Sequence, residues 1–256
     1  DAQFPPKLGT PVGLAHGGAV LDGFFFVLGA DGSIYNSDFE AAASFTTTGF
    51  ITAERDPDGG AYLAKHHDNL VAMGPATFEF FWNAANATGS PLSRRRDVFH
   101  NVGIAAGATA WVNGDQIFFV GVDHSGSLSA YVLENFALRA LESGQLSSFL
   151  TSILNTDAYV ASGSGFQAMG HTFYILSFYT EATDLTPQIT LVYDDTTRLW
   201  GTWETTIGGL TKFPLMYWSK RTGTAARNGE GIMSNGDVVA LTDDLSPQDS
   251  VNASGD

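Results

Sequence analysis

The sequence predicts an all-β fold, a β-propeller of five or more blades with one or two short helices, on three observations. Glycine supplies 29 of 256 residues and aromatic residues 12%, against only 15% charged residues, a composition of short strands and tight turns. Apolar, β-branched and aromatic runs meet at Asp-Gly, Asn-Gly and related turns along the chain. Equivalent turns at Asp22, Asp68, Gly114, Gly170 and Asn228 stand 46, 46, 56 and 58 residues apart. Propeller blades repeat at about 40 to 50 residues, and a β-sandwich, which also has closely spaced strands, shows no such period.

In chain order, GGAVLDGFFFVLGADGSIY from Gly17 to Tyr35 predicts a short strand, a turn at Asp22-Gly23, an apolar strand, a turn at Asp31-Gly32 and a third strand. The segment from Ala61 to Trp82 repeats that order around Asp68-Asn69. Next comes a hairpin with arms at Ala108 to Val112 and Gln116 to Val120, then a turn at Ser125-Gly126. Gly165 to Phe178 turns at Gly170-His171, and Met216 to Leu241 turns near Asn228-Gly229 and Asn235-Gly236. Two insertions lengthen the later intervals. Phe136 to Leu154 carries Leu138, Leu141, Leu146, Phe149, Leu150, Ile153 and Leu154 at helical spacing, and Glu181 to Pro187 reads as a polar loop.

An apolar fraction of 44% supports a packed core, and the chain is expected to form a single propeller domain over residues 1–256. It opens at Asp1 without methionine, which favours a fragment of a longer protein. With 27 acidic and 12 basic residues the formal charge is −15, a field that repels a nucleic-acid backbone. Cysteine is absent, which excludes disulfides, thiolate metal sites and cysteine nucleophiles. No apolar run is long enough to span a bilayer as a helix, so no membrane span is expected.

The succession LVAMGPATFEFFWNA, SPLSRR and NVGIAAGATAWVNGDQIFFVG resembles the tail-hub family of short-tailed bacteriophages, the packaged-DNA stabilisation proteins, and ITLVYDDTTRLWGTW resembles a blade end of that family. The resemblance runs from about Leu63 to Trp203, and departs from the family pattern in the serine-rich helical region and the insertions. It implies a structural virion protein of the tail, forming a sixfold homo-oligomeric ring in the nozzle. Its implied partners are a portal or head-to-tail adaptor above and a needle or tip protein below. DNA would pass transiently along the exit channel without specific binding, and the ring would help retain the genome. The alternative is a carbohydrate-binding or glycoside-cleaving propeller module of a phage tail, to which the turns Asp31-Gly32-Ser33 and Asp123-His124-Ser125-Gly126 loosely point.

No Gly-x-Ser-x-Gly, His-Glu-x-x-His or P-loop pattern occurs, so no enzyme is expected, and no catalytic, metal-binding or cofactor-binding residue is assigned. Gly163, Gly165 and Ala168 fit Gly-x-Gly-x-x-Ala, but the strand-like HTFYILSF follows, leaving no helix terminus for a phosphate. His66 and His67 are adjacent on an expected strand and should face opposite sides. Asp56-Pro57-Asp58-Gly59 is half a calcium loop without the closing carboxylates, and reads as a polar turn. The concentrated basic feature is Arg94, Arg95 and Arg96, three of eight arginines. Placed between two strand signals, they read as a loop at a blade edge that pairs with carboxylates of a neighbouring subunit.

Overall fold

The computed structural model describes residues 13–53, 58–141, 146–154, 160–168, 170–179, 189–203, 215–219, 230–233 and 238–240. The chain divides into two compact units, residues 1–148 and 149–256. Three successive sheets form the first unit and two the second.

The first described strand of the first unit is the two-residue β1 (His16–Gly17). A four-stranded antiparallel meander follows: β2 (Ala19–Leu21), β3 (Phe24–Leu28), β4 (Ser33–Asp38) and β5 (Ala41–Thr52). Its first turn holds Asp22 and Gly23 at φ 47° and 82°, the twist that joins two right-twisted strands in two residues. The second sheet comprises β6 (Tyr62–His66), β7 (Asn69–Met73), β8 (Phe78–Asn83) and β9 (Leu92–His100), with β1 parallel to β6. The third holds β10 (Val102–Ile104), β11 (Trp111–Asn113), β12 (Gln116–Asp123), β13 (Leu128–Glu134) and β14 (Ala137–Ala140). Both β10 and β11 pair with β12, because a 3₁₀ turn at Gly107–Thr109 interrupts the first arm of the expected hairpin. Thr109 fills the break: its hydroxyl donates to the Ala106 carbonyl at 2.6 Å and accepts from the Val120 N–H at 3.1 Å.

The inner strands β7 and β8 of the second sheet are buried on both faces, which explains why they read as near-continuous apolar runs. Leu63, Leu70, Ala72, Phe81 and Leu92 pack on Leu21, Phe26, Leu28 and Ile34 of the first sheet. Ala64, Val71, Met73, Phe78 and Phe80 pack on Ile104, Ile117, Phe119 and Leu133 of the third. Sheets stacked face to face through alternate residues of each strand are the construction of propeller blades.

The helix α1 (Leu146–Leu154) leads into the second unit. The expected helical stretch was too long at its start, where Leu138 lies in strand β14. Asn135 and Phe136 take φ of 49° and 62°, a tight hairpin that returns the chain along β13. The fourth sheet is the meander β15 (Val160–Ala168), β16 (His171–Tyr179), β17 (Ile189–Asp194) and β18 (Leu199–Thr202). Gly163, Gly165 and Ala168 are thus strand residues. The fifth sheet has β19 (Leu215–Ser219), β20 (Glu230–Met233) and β21 (Val238–Ala240).

Asp22, Asp68, Gly114 and Gly170 each lie in the first hairpin of their sheet, so the repeat is one of blades. Asn228-Gly229 and Asn235-Gly236, expected turns of the fifth sheet, lie outside the described residues, as does the loop from Glu181 to Pro187. The chain is all-β and its fold is a β-propeller.

Candidate interface at the edge of the second sheet

The three arginines occupy a strand, which corrects the expectation of a loop. They lie in β9, the outermost strand of the second sheet, so the blade edge is where they are found. The strand is not a regular ladder. Glu79 pairs with Phe99 and Phe81 with Arg94, so Arg95 to Val98 stand opposite Phe80 alone, an irregular bulge of four residues against one.

Each arginine meets a different environment. Arg94 faces inward: its Nε lies 2.6 Å from Oε2 of Glu79, whose side chain is 4% exposed, and its Nη2 donates to the Thr52 carbonyl at 3.2 Å. The guanidinium also lies 6.0 Å from the ring centre of Phe81. Arg94 therefore neutralises a buried carboxylate and ties β9 to the end of β5. Arg95 makes a two-pronged pair with Asp97, at 2.6 and 3.2 Å, and covers the Phe136 ring at 4.8 Å. Their hydrogen bond holds the Asp97 carboxyl below the usual range and raises the guanidinium. Arg96 is exposed and, among the described residues, has no ion pair.

Sequence reasoning missed Trp82, 46% exposed beside these arginines and lining two open grooves with them. It also missed Glu79. A single charged residue inside the apolar run TFEFFW was the available signal for a buried ion pair.

A family model described as "Bacteriophage P22 Gp10, beta-propeller" matches residues 8–221. The chain belongs to this phage stabilisation family. It is thus a member of the tail-hub proteins, a structural phage family and not an enzyme family, and a virion component. No curated protein sequence matches it. Among solved structures it is similar to the N-terminal domain of Nup159, at 15% identity and TM-score 0.43, covering 84% of this chain and 55% of that one. It is also similar to BamB from Moraxella catarrhalis, at 12% identity and TM-score 0.44, covering 88% and 57%. A third is the computationally designed Ika8 protein, at 10% identity and TM-score 0.45, covering 91% and 71%. The chain spans little more than half the length of the first of these.

In this tail-hub family member the carboxylates that loosely suggested sugar chemistry are engaged in turns. Asp31 accepts from the backbone N–H and the hydroxyl of Ser33, each at 3.1 Å. Asp123 Oδ1 accepts from the N–H groups of Ser125 and Ser127 at 2.8 and 2.9 Å and from the Ser125 hydroxyl at 2.6 Å, bonds that lower its pKa. In the corresponding turn of the second sheet the carboxylate comes from Asp58, which accepts from the N–H groups of Ala76 and Thr77 at 2.8 and 2.9 Å. Asp58 of the half calcium loop is therefore a turn cap delivered from the preceding connection. Asp56 lies outside the described residues.

The histidines also behave differently from expectation. Because β6 ends at His66 and His67 turns at φ 52°, their rings meet at 4.6 Å instead of pointing apart. His66 is fully buried and its Nε2 accepts the Phe136 N–H at 3.0 Å; His100 Nε2 contacts the Phe136 carbonyl at 2.9 Å, as a donor. Both backbone groups of a left-handed residue are thus held by imidazoles of the adjacent sheet. Burial, with His67 nearby, pushes the His66 pKa down to about 4, and burial also lowers that of His100.

Proposed function

We propose that this chain builds a ring in a short phage tail, where it lines part of the DNA exit channel and helps retain the genome. One observation carries the reading: in a member of a structural phage family with net charge −15, the cluster of arginines is largely consumed inside the fold. Arg94 and Arg95 each face a carboxylate of their own sheet, so of the run that could have gripped phosphate only Arg96 has no ion pair among the described residues. A channel of such subunits repels DNA and lets it slide, so retention rests on a closing partner rather than on affinity. Six copies, a portal or adaptor above and a needle or tip protein below complete the proposed assembly. Arg96 is the arginine proposed to face a neighbouring subunit.

Electron microscopy of virions carrying this chain, with the chain labelled, tests the proposal. A ring of labelled copies around the tail channel is expected. Label confined to a peripheral fibre, or its absence from the tail, overturns it.

A further inference from the structure

One end of the first two sheets carries a surface that the fold leaves open. Trp82 is 46% exposed there, at the end of β8. The next residue, Asn83, donates Nδ2 to Oδ2 of Asp22 at 2.9 Å, in the first hairpin of the first sheet. By strand alternation Asn83 faces the first sheet with Phe81 and Trp82 faces away, so the open strip is Trp82 with Arg96, which both line the two grooves there.

Exposed tryptophan beside an unpaired arginine is the composition of an interface centre, not of ordinary surface. The strip borders β9, a sheet edge whose bulge takes Arg95 to Val98 out of register. An incoming strand finds no continuous ladder to extend, so whatever docks does so through side chains.

We infer that this strip is the contact surface for a second copy of the chain, with Trp82 as the apolar anchor and Arg96 donating to a carboxylate of that copy. The inference rests on the ring reading and names the surface that closes the ring. Charge selects the partner. With 27 acidic and 12 basic residues, copies of this chain repel one another unless a cation stands at the contact. Arg96 is such a cation: Glu79 and Asp97 beside it are engaged by Arg94 and Arg95, and Asp68, the other carboxylate lining one of the grooves, makes no ion pair with it. The contact is heterologous: the strip meets a different, acidic surface on the next copy, as ring closure requires.

Sedimentation velocity of the protein beside its Arg96→Glu, Arg96→Lys and Trp82→Ala variants tests this, with circular dichroism confirming that each is folded. Arg96→Glu should raise the concentration needed for assembly by about tenfold or more at low salt, and less at high salt. Arg96→Lys should lose only part of the effect, and Trp82→Ala should weaken assembly at both salt levels. If the parent assembles and both Arg96→Glu and Trp82→Ala match it, the strip is not the contact, while the ring reading stands. A parent that stays monomeric at every concentration overturns the ring reading and the strip together. If Trp82→Ala abolishes binding of a host surface polysaccharide and leaves assembly unchanged, the strip is a saccharide site and the inference fails.

Discussion

Arg94 and Arg96 stand two residues apart in one strand, and their side chains have opposite consequences. Arg94→Ala removes the cation that faces the buried Glu79 carboxylate, which should cost about 3 kcal/mol, whereas Arg96→Ala should change stability by less than about 0.5 kcal/mol. Urea denaturation of the two variants reads the difference directly, and equal midpoints would show that Glu79 finds another partner or is protonated. For the same reason a variant replacing all three arginines by glutamate damages the fold, and cannot report on assembly alone. Asp58 is a similar case. Its carboxylate holds two backbone N–H groups of the turn at Ala76 and Thr77, so Asp58→Ala should destabilise by about 1 to 2 kcal/mol. Asp58→Asn retains an acceptor and should lose less.

At the scale of elements, the second and third sheets are joined through the Phe136 turn, and that joint depends on neutral histidine. His66 accepts the Phe136 N–H only while its Nε2 is unprotonated. Its pKa of about 4 in the folded chain lies below the ordinary value of 6.5, so the unfolded chain takes up the proton first. The stabilising contribution is complete above about pH 6.5 and is lost as pH falls toward 4, by at most about 3 kcal/mol. His100 shifts in the same direction, while Asp115 opposes the shift at His66 and the His67 ring beside it adds to it. Thermal melts should show a lower midpoint at pH 5 than at pH 7, with a smaller difference in His66→Gln. An identical pH dependence in that variant would place the effect elsewhere. The same two sheets approach closely at Gly103, where a Cβ would clash with the Pro75 carbonyl oxygen. Gly103→Ala should therefore cost about 3 kcal/mol or more and reduce the yield of folded protein, because backbone rather than a side-chain tip must move.

For the whole molecule, the controlling quantity is a charge of −15 with two of the three arginines of its basic run paired internally. Duplex DNA should show no retardation by the protein even at about 50 mM salt, where phosphate contacts are strongest. Retardation that weakens with added salt would mean that a basic surface exists and that the channel grips its cargo.

The blade repeat was legible in the sequence because a two-residue turn is a local device. Asp22-Gly23 and Gly114 take positive φ where the residue types allow it, and their spacing needs no knowledge of distant contacts. The break at Gly107–Thr109 and the strand at Ala137–Ala140 were not legible, since short apolar segments carry no decisive period and pairing with β12 and β13 settled their form. The candidate interface was legible only as a basic run. Which arginine remains outside was decided by sheet pairing, which sets Arg94 across from Phe81 and brings Glu79 and the Thr52 carbonyl to its guanidinium. A buried carboxylate attracts whichever cation the fold delivers to it, and that delivery is a property of register and stacking, not of any stretch of sequence.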